Sequence, residues 1–363
     1  MKKVVTFGEV MIRLSPQENL RISQVCPGSM ELTFGGAEST VAASVAYLGG
    51  CSSFVTSLPN NIISESYIQQ MKGFGVDTDF IYLRDGGRFG VYYVEKGANQ
   101  RPSRVIYDRE MSSVSLTNGD DYDWASIFLD AGWLHISGIT LAISEVAAEA
   151  ALLAVKKAKE FGLKVSCDLN FRSNLWKWNP SLSSVELAQD IMPKFLKYTD
   201  VVIGNEEDAD NVLGIKAGDT EVNSGNLLLE AYPNVAEEIC KKFDNIELVA
   251  ITLRESLSAN HNNWGAMVYD KASSKAFFAP LKEGEYSSYA INNIVDRVGG
   301  GDSFAAGLIY SISEDSSKGL QYNLDFAVAA SCLAHSMHGD FNYAKKSEVL
   351  ELMQGNQSGR VQR

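Results

Sequence analysis

Histidine is scarce in this chain, with four among 363 residues. His335 and His338 stand three apart on an expected helix, but no cysteine or carboxylate pattern completes a zinc site around them. Cysteine is equally thin. Cys26, Cys51, Cys167, Cys240 and Cys332 are odd in number, scattered and never Cys-x-x-Cys, which excludes a disulfide framework and reads as reduced thiols in a cytosolic protein. No apolar run approaches the ~20 residues of a membrane span. The opening segment is broken by Glu9 and Arg13, so it reads as a buried first strand rather than a signal peptide. Positive charge is also short: 32 Lys and Arg face 45 Asp and Glu, for a net charge of −13. That argues against a nucleic-acid or anionic-membrane partner. Any phosphate ligand must then be held by local backbone and a few arginines.

What is present is ordinary globular material, 45% hydrophobic and 21% charged. The length exceeds the roughly 250–300 residues at which a single core usually stops growing, yet it suits one large α/β domain over 1–363 with insertions. Short β-branched runs at Val4–Phe7, Ser53–Thr56, Trp133–Ile136, Lys164–Cys167, Val201–Ile203 and Leu248–Thr252 alternate with helical stretches. This rhythm predicts βαβ units and a largely parallel sheet, with ligands beyond the C-terminal strand ends. About 11–34 and 80–110 break the rhythm with short strands and no helices, which predicts a small β-sheet lid. Segments about 214–233 and 256–263 are polar and turn-like and predict surface insertions.

Four clusters carry chemistry. The most informative is Asp296-Arg297-Val298-Gly299-Gly300-Gly301-Asp302, which runs straight into the helical Ser303–Ile309. Glycines before a helix N-terminus make an anion pocket, and phosphate is the usual anion. A phosphate would repel Asp302, so affinity does not explain that residue. A catalytic base does, as an alternative to a plain N-cap. Gly35-Gly36-Ala37-Glu38 opens a helix of small residues, where a ligand can pack on bare backbone. Asp168-Leu169-Asn170-Phe171-Arg172 places polar side chains at a strand end, in the expected crevice. Asn205-Glu206-Glu207-Asp208 follows another strand and suits either a hydrated Mg2+ or an acidic helix start.

In this order the pieces resemble the ribokinase-like carbohydrate kinases of the phosphofructokinase-B type, over nearly the whole chain. The opening Val5–Glu9, Gly35-Gly36, Asn205–Asp208, Val249–Thr252 and Gly299–Asp302 carry the likeness. The resemblance implies a doubly wound, largely parallel α/β sheet flanked by helices, with a small β lid, and ATP-dependent phosphorylation of a sugar hydroxyl. It makes Asp302 the catalytic base and the backbone of Gly299, Gly300 and Gly301 the anion hole. It puts Asn205 and Asp208 where Mg2+ is handled through water, Thr252, Gly301 and Gly339 on the nucleotide side, and Gly35 and Gly36 on the sugar. Asp296 lies where some relatives bind a monovalent cation, which would be K+.

Within the family the likeness is strongest to 2-keto-3-deoxygluconate kinases, through Gly35–Glu38, Tyr107-Asp108-Arg109 and Asp168–Arg172. It implies that Tyr92, Tyr93 and Tyr107 wall the sugar, with Asn170 beside it. Arg109 and Arg172 supply two guanidinium groups, which suit a sugar acid's carboxylate, although Arg172 could equally face ATP. Departures are Thr40 where Asn is usual, Arg297 where Thr is usual, Asp208 for Glu, and Arg254-Glu255 where Gly is usual. Rival readings are a fructokinase or nucleoside kinase of the same type and a non-catalytic sensor. A nicotinamide-dependent oxidoreductase is disfavoured by the lack of Gly-x-Gly-x-x-Gly after a strand. A lid with exposed strand edges predicts a homodimer or higher oligomer.

Overall fold

The computed structural model describes residues 1–216, 229 and 231–355. Most of the expected 214–233 insertion therefore lies outside the described residues. The strands are β1 (Lys3–Phe7), β2 (Met11–Ser15), β3 (Glu31–Gly35), β4 (Ser52–Pro59), β5 (Ile81–Arg84), β6 (Gly90–Glu95), β7 (Arg104–Asp108), β8 (Ala131–Ser137), β9 (Lys164–Asp168), β10 (Val201–Gly204), β11 (Leu248–Ser258), β12 (His261–Asp270) and β13 (Lys275–Ala279). The main sheet runs β13-β12-β11-β10-β9-β8-β1-β4-β5, and Tyr289–Ile291 adds to β12. From β11 to β5 every pairing is parallel, and β11, β12 and β13 are antiparallel. All six strands expected of the sheet are in it.

Helices cover both faces. On β1, Val5 and Phe7 enter one core with the helices Glu145–Glu160 and Ser184–Leu196, while Val4 enters the other with Ala37–Tyr47, Gly300–Glu314 and Leu320–Ala334. Alternation along a strand buried on both sides produces this division, and it defines a doubly wound sheet. Local signals set the helix ends. Asn61 Oδ1 accepts from Ile63 and Ser64 N–H at 3.0 and 3.1 Å to start Ile62–Phe74, and Gly75 at φ +88° stops it.

A separate four-stranded sheet, ordered β3-β2-β6-β7, forms the lid. It corrects the expected lid boundary. β5 falls inside the 80–110 segment but pairs in parallel with β4 at the edge of the main sheet, Thr56 to Ile81 through Pro59 to Arg84. The segment 256–263 also differs from a bare surface insertion. It is the tip of the long β11–β12 hairpin, and that tip is docked. Ala259 N–H donates to Asn99 O at 2.8 Å, and Asn99 N–H donates to Asn260 Oδ1 at 2.7 Å. Arg297 Nη2 donates to Ser258 O and Ala259 O at 3.1 and 2.6 Å. No helix among the described residues is long and apolar enough to cross a membrane.

Candidate active site

The helix Gly300–Glu314 starts where the chain turns through Gly299 at φ +81°, a left-handed conformation. A Cβ there would lie 2.3 Å from the Asp340 main-chain oxygen. Gly299 is the N-cap, so Asp302 stands in the first turn and makes no capping bond. The first i→i−4 bond is Ser303 N–H to Gly299 O, 2.8 Å. The amides of Gly300, Gly301 and Asp302 precede it and are available to an anion at the positive helix end. Asp302 is half-buried, and no hydrogen bond from a described residue reaches its carboxylate. Burial and the nearby Asp340 push its pKa up to about 7, against the opposing pull of Arg172. A free carboxylate tuned to near-neutral pH beside an amide pocket is equipped to take a proton during anion transfer.

The lid supplies the facing wall. Tyr92 on β6 and Tyr107 on β7 are register partners, with ring centroids 6.3 Å apart. Arg109, 8% exposed, follows β7. Its guanidinium lies 5.5 Å from the Tyr107 ring centroid, and its Nη2 pairs with Glu9. Arg109 Nε and Nη1 are buried without a partner. Nη1 lies on the Cδ side and the Nε–H on the Nη2 side, so these are two separate buried donors, each able to donate to a ligand oxygen. Gly35 ends β3, and a Cβ on it would meet Asp340 Oδ2 at 2.3 Å and the Tyr92 hydroxyl at 2.4 Å. Gly36 caps the helix Ala37–Tyr47 next to it. Tyr93 is separated from this group. One step along β6, it points to the opposite face of the lid, shared by register with Leu14 and Ile106.

At the strand ends, Asn170 is buried at φ +39° and donates from Nδ2 to Ser137 Oγ at 3.2 Å. Arg172 is exposed at the rim, with Nη1 donating to Phe171 O at 2.9 Å. Its charge opposes the upward shifts of Asp302, Asp168 and Asp208. Asn205 and Asp208 form a capping box: Asn205 Oδ1 accepts from Asp208 N–H at 2.8 Å, and Asp208 Oδ2 from Asn205 N–H at 3.1 Å. Asp208 Oδ1 also accepts from Phe171 N–H at 2.9 Å. Among the described residues no group of three or more His, Cys, Asp or Glu could hold a metal directly. One capped amide–carboxylate pair instead fits Mg2+ held mainly by phosphates and water. Thr252 is half-buried on β11, with Oγ1 3.5 Å from Gly204 O. Thr40 is fully buried with an unpartnered Oγ1.

Asp296, the expected monovalent-cation ligand, is engaged by the protein itself. Arg13 Nη2 bonds it at 2.5 Å, and Gly339 N–H approaches the same oxygen at 3.4 Å. Arg13, Glu9, Glu38 and Asp340 are not singled out as site residues by the sequence. Arg13 is a lone cation in the otherwise apolar alternation of Met11–Ser15, a signal that could have found it. Glu38 is buried beneath Gly8, and burial pushes its pKa up to about 7 although Thr140 Oγ1 and Ser137 N–H donate to it.

A raised-pKa carboxylate beside open helix-start amides, with a separate small β sheet over a doubly wound core, fits a lidded α/β phosphotransferase. The chain belongs to the pfkB family of carbohydrate kinases, whose model matches residues 1–346. It is similar to the 2-dehydro-3-deoxygalactonokinase of Haloferax volcanii, at 30% identity over 357 residues and 98% of each chain. It is also similar to the 2-dehydro-3-deoxygluconokinase of Thermoproteus tenax, at 27% identity over 350 residues, 94% of this chain and 90% of the other. The solved structure of 2-dehydro-3-deoxygluconokinase from Thermotoga maritima superposes with a TM-score of 0.86 at 43% identity, covering 98% of this chain and 100% of that one.

Proposed function

We propose that this carbohydrate kinase transfers the γ-phosphoryl group of ATP to the terminal hydroxyl of 2-keto-3-deoxygluconate (also named 2-dehydro-3-deoxygluconate), forming the 6-phosphate. The observation that carries the choice of a sugar acid is Arg109, buried beside Tyr107 with Nε and Nη1 unpartnered. Glu9 pairs with Nη2, and a ligand offering no acceptor oxygens to the other two buried donors would leave them unsatisfied, at a cost of about 1–3 kcal/mol.

Asp302 receives the hydroxyl proton as the oxygen forms its bond to phosphorus and the bond to the ADP oxygen breaks. The amides of Gly300, Gly301 and Asp302 stabilise the charge on the group in transfer. Mg2+, when bound with ATP, neutralises phosphate charge; Asn205 and Asp208 would hold it through water. Gly35, Gly36 and Asn170 orient the sugar, and the lid excludes water, which would otherwise compete as nucleophile. A K+ at Asp296 would share that carboxylate with Arg13, which is itself divided between Asp296 and Asp340. Leu32 and Ile106 are 54% and 57% exposed on the outer lid face that carries Tyr93. That apolar face supports a homodimer through the lid, and five free thiols suit the cytoplasm.

ADP release is measured with 2-keto-3-deoxygluconate, its galacto epimer, fructose, ribose and a nucleoside. The sugar acids are expected to exceed the neutral acceptors in kcat/KM by at least about a hundredfold. Comparable turnover of fructose or a nucleoside would overturn the assignment.

A further inference from the structure

Arg13 is 1% exposed, and the steps above make no use of it. A guanidinium is buried at such depth only where carboxylates pair it. Its Nη2 bonds Asp296 Oδ2 at 2.5 Å, and its Nη1 bonds Asp340 Oδ1 at 2.9 Å. The three residues come from three places. Arg13 is on the lid strand β2, Asp296 opens the glycine loop, and Asp340 lies beyond the helix Leu320–Ala334. Tyr92, the register partner of Arg13 on β6, reaches the same Asp340 carboxylate at 2.7 Å. Two adjacent lid side chains thus grip one carboxylate. That carboxylate's own main chain packs against Gly299 at the mouth of the anion pocket. Val298 N–H donates to Asp296 Oδ1 at 3.2 Å, and Val295 N–H to His335 O at 2.9 Å, tying the loops together below.

We propose that Arg13 is a positioning residue for phosphoryl transfer, locking the lid sheet onto the phosphate loop and offsetting one of the two negative charges of Asp296 and Asp340 behind it. The proposal rests on the kinase reading and is independent of which sugar is used. Two carboxylates behind a pocket for a polyanion would otherwise repel the phosphates. Asp340 would also act uncancelled on Asp302. Among the described residues the charged groups acting on Asp302 are Asp340, Asp168, Glu38 and the cation Arg172, and His335 packs against Gly300.

The test compares wild type with Arg13→Met and Arg13→Lys, using whichever sugar of the panel the wild type phosphorylates. A wrong sugar therefore defeats the earlier assignment and leaves this one standing. Arg13→Met is expected to raise the KM for ATP about tenfold and to move the acid limb of kcat upward by about half a pH unit or more. Arg13→Lys keeps the charge but has no fork to bridge both carboxylates. Its acid limb is expected to stay with that of wild type while kcat falls about tenfold. An Arg13→Met enzyme with an unmoved acid limb and an ATP KM within about twofold of wild type would refute the charge role. Should Arg13→Met not fold, the lysine variant decides: kcat within about twofold of wild type refutes the bridge, as does an acid limb that shifts despite the retained charge.

Discussion

Replacing Asp302 with Asn tests the site and its electrostatics together. The amide keeps the side-chain shape and removes the proton acceptor, so turnover should fall at least about a hundredfold while sugar binding persists. Stability should move in the opposite direction. The Asp302 pKa stands at about 7 in the fold against 3.8 for the free group. Between those values the folded protein holds a proton that the unfolded chain has released, so stability falls as pH rises through the window. The full shift of about three units corresponds to about 4 kcal/mol at most. A half-buried carboxylate open to a cleft retains a fraction of that, about 1–2 kcal/mol. The substituted amide does not titrate, so the variant should melt about 1–3 °C above wild type at pH 8 and level with it near pH 4. Thermal unfolding at pH 4, 6 and 8, alongside ADP release, reads both effects. A variant with turnover within a few-fold of wild type would remove Asp302 as the base. A melting difference that does not change with pH would remove the raised pKa.

Arg109→Ala should raise the KM for the sugar acid about 10–100-fold and leave any residual activity on neutral sugars unchanged; equal losses on both would argue against a carboxylate contact. Gly35→Ala should cost about 1–3 kcal/mol of stability and weaken sugar binding, because its Cβ would sit 2.3 Å from Asp340 Oδ2. An unchanged melting temperature and sugar KM would contradict that close approach. Arg297→Met removes both hydrogen bonds to the hairpin tip, so limited proteolysis should cut within 256–263 faster. An unaltered cleavage rate would show that the tip is held by other contacts.

The parts of the fold legible in the sequence are those with local causes. Val4–Phe7 and Val201–Ile203 read as buried strands because both faces are apolar, and helix positions follow from caps and periodicity. Ile81–Arg84 is misplaced by the sequence because its strand character is local, whereas its choice of β4 over the lid is a long-range pairing that four residues do not encode. The same limit separates Tyr92 from Tyr93. Adjacency in sequence places them together, and the pleat sends them to opposite faces. The docking of 256–263 and the Arg13–Asp340 pair, 327 residues apart, depend on tertiary contact alone. Asp302 and the glycines are legible because backbone freedom, helix start and carboxylate fall within a few consecutive residues.

The Arg297 contact with the hairpin tip has an evolutionary consequence. A long cation at this position and a long β11–β12 hairpin form a matched pair, each supplying what the other lacks. Among relatives the two should be gained or lost together. A chimera that takes the glycine loop from a threonine-bearing relative should shorten the hairpin as well, or it inherits a tip held by the Asn99 and Ile294 contacts without Arg297. The family's most recognisable motif is therefore not a freely exchangeable cassette in this chain. One of its seven positions belongs to the architecture of a distant hairpin.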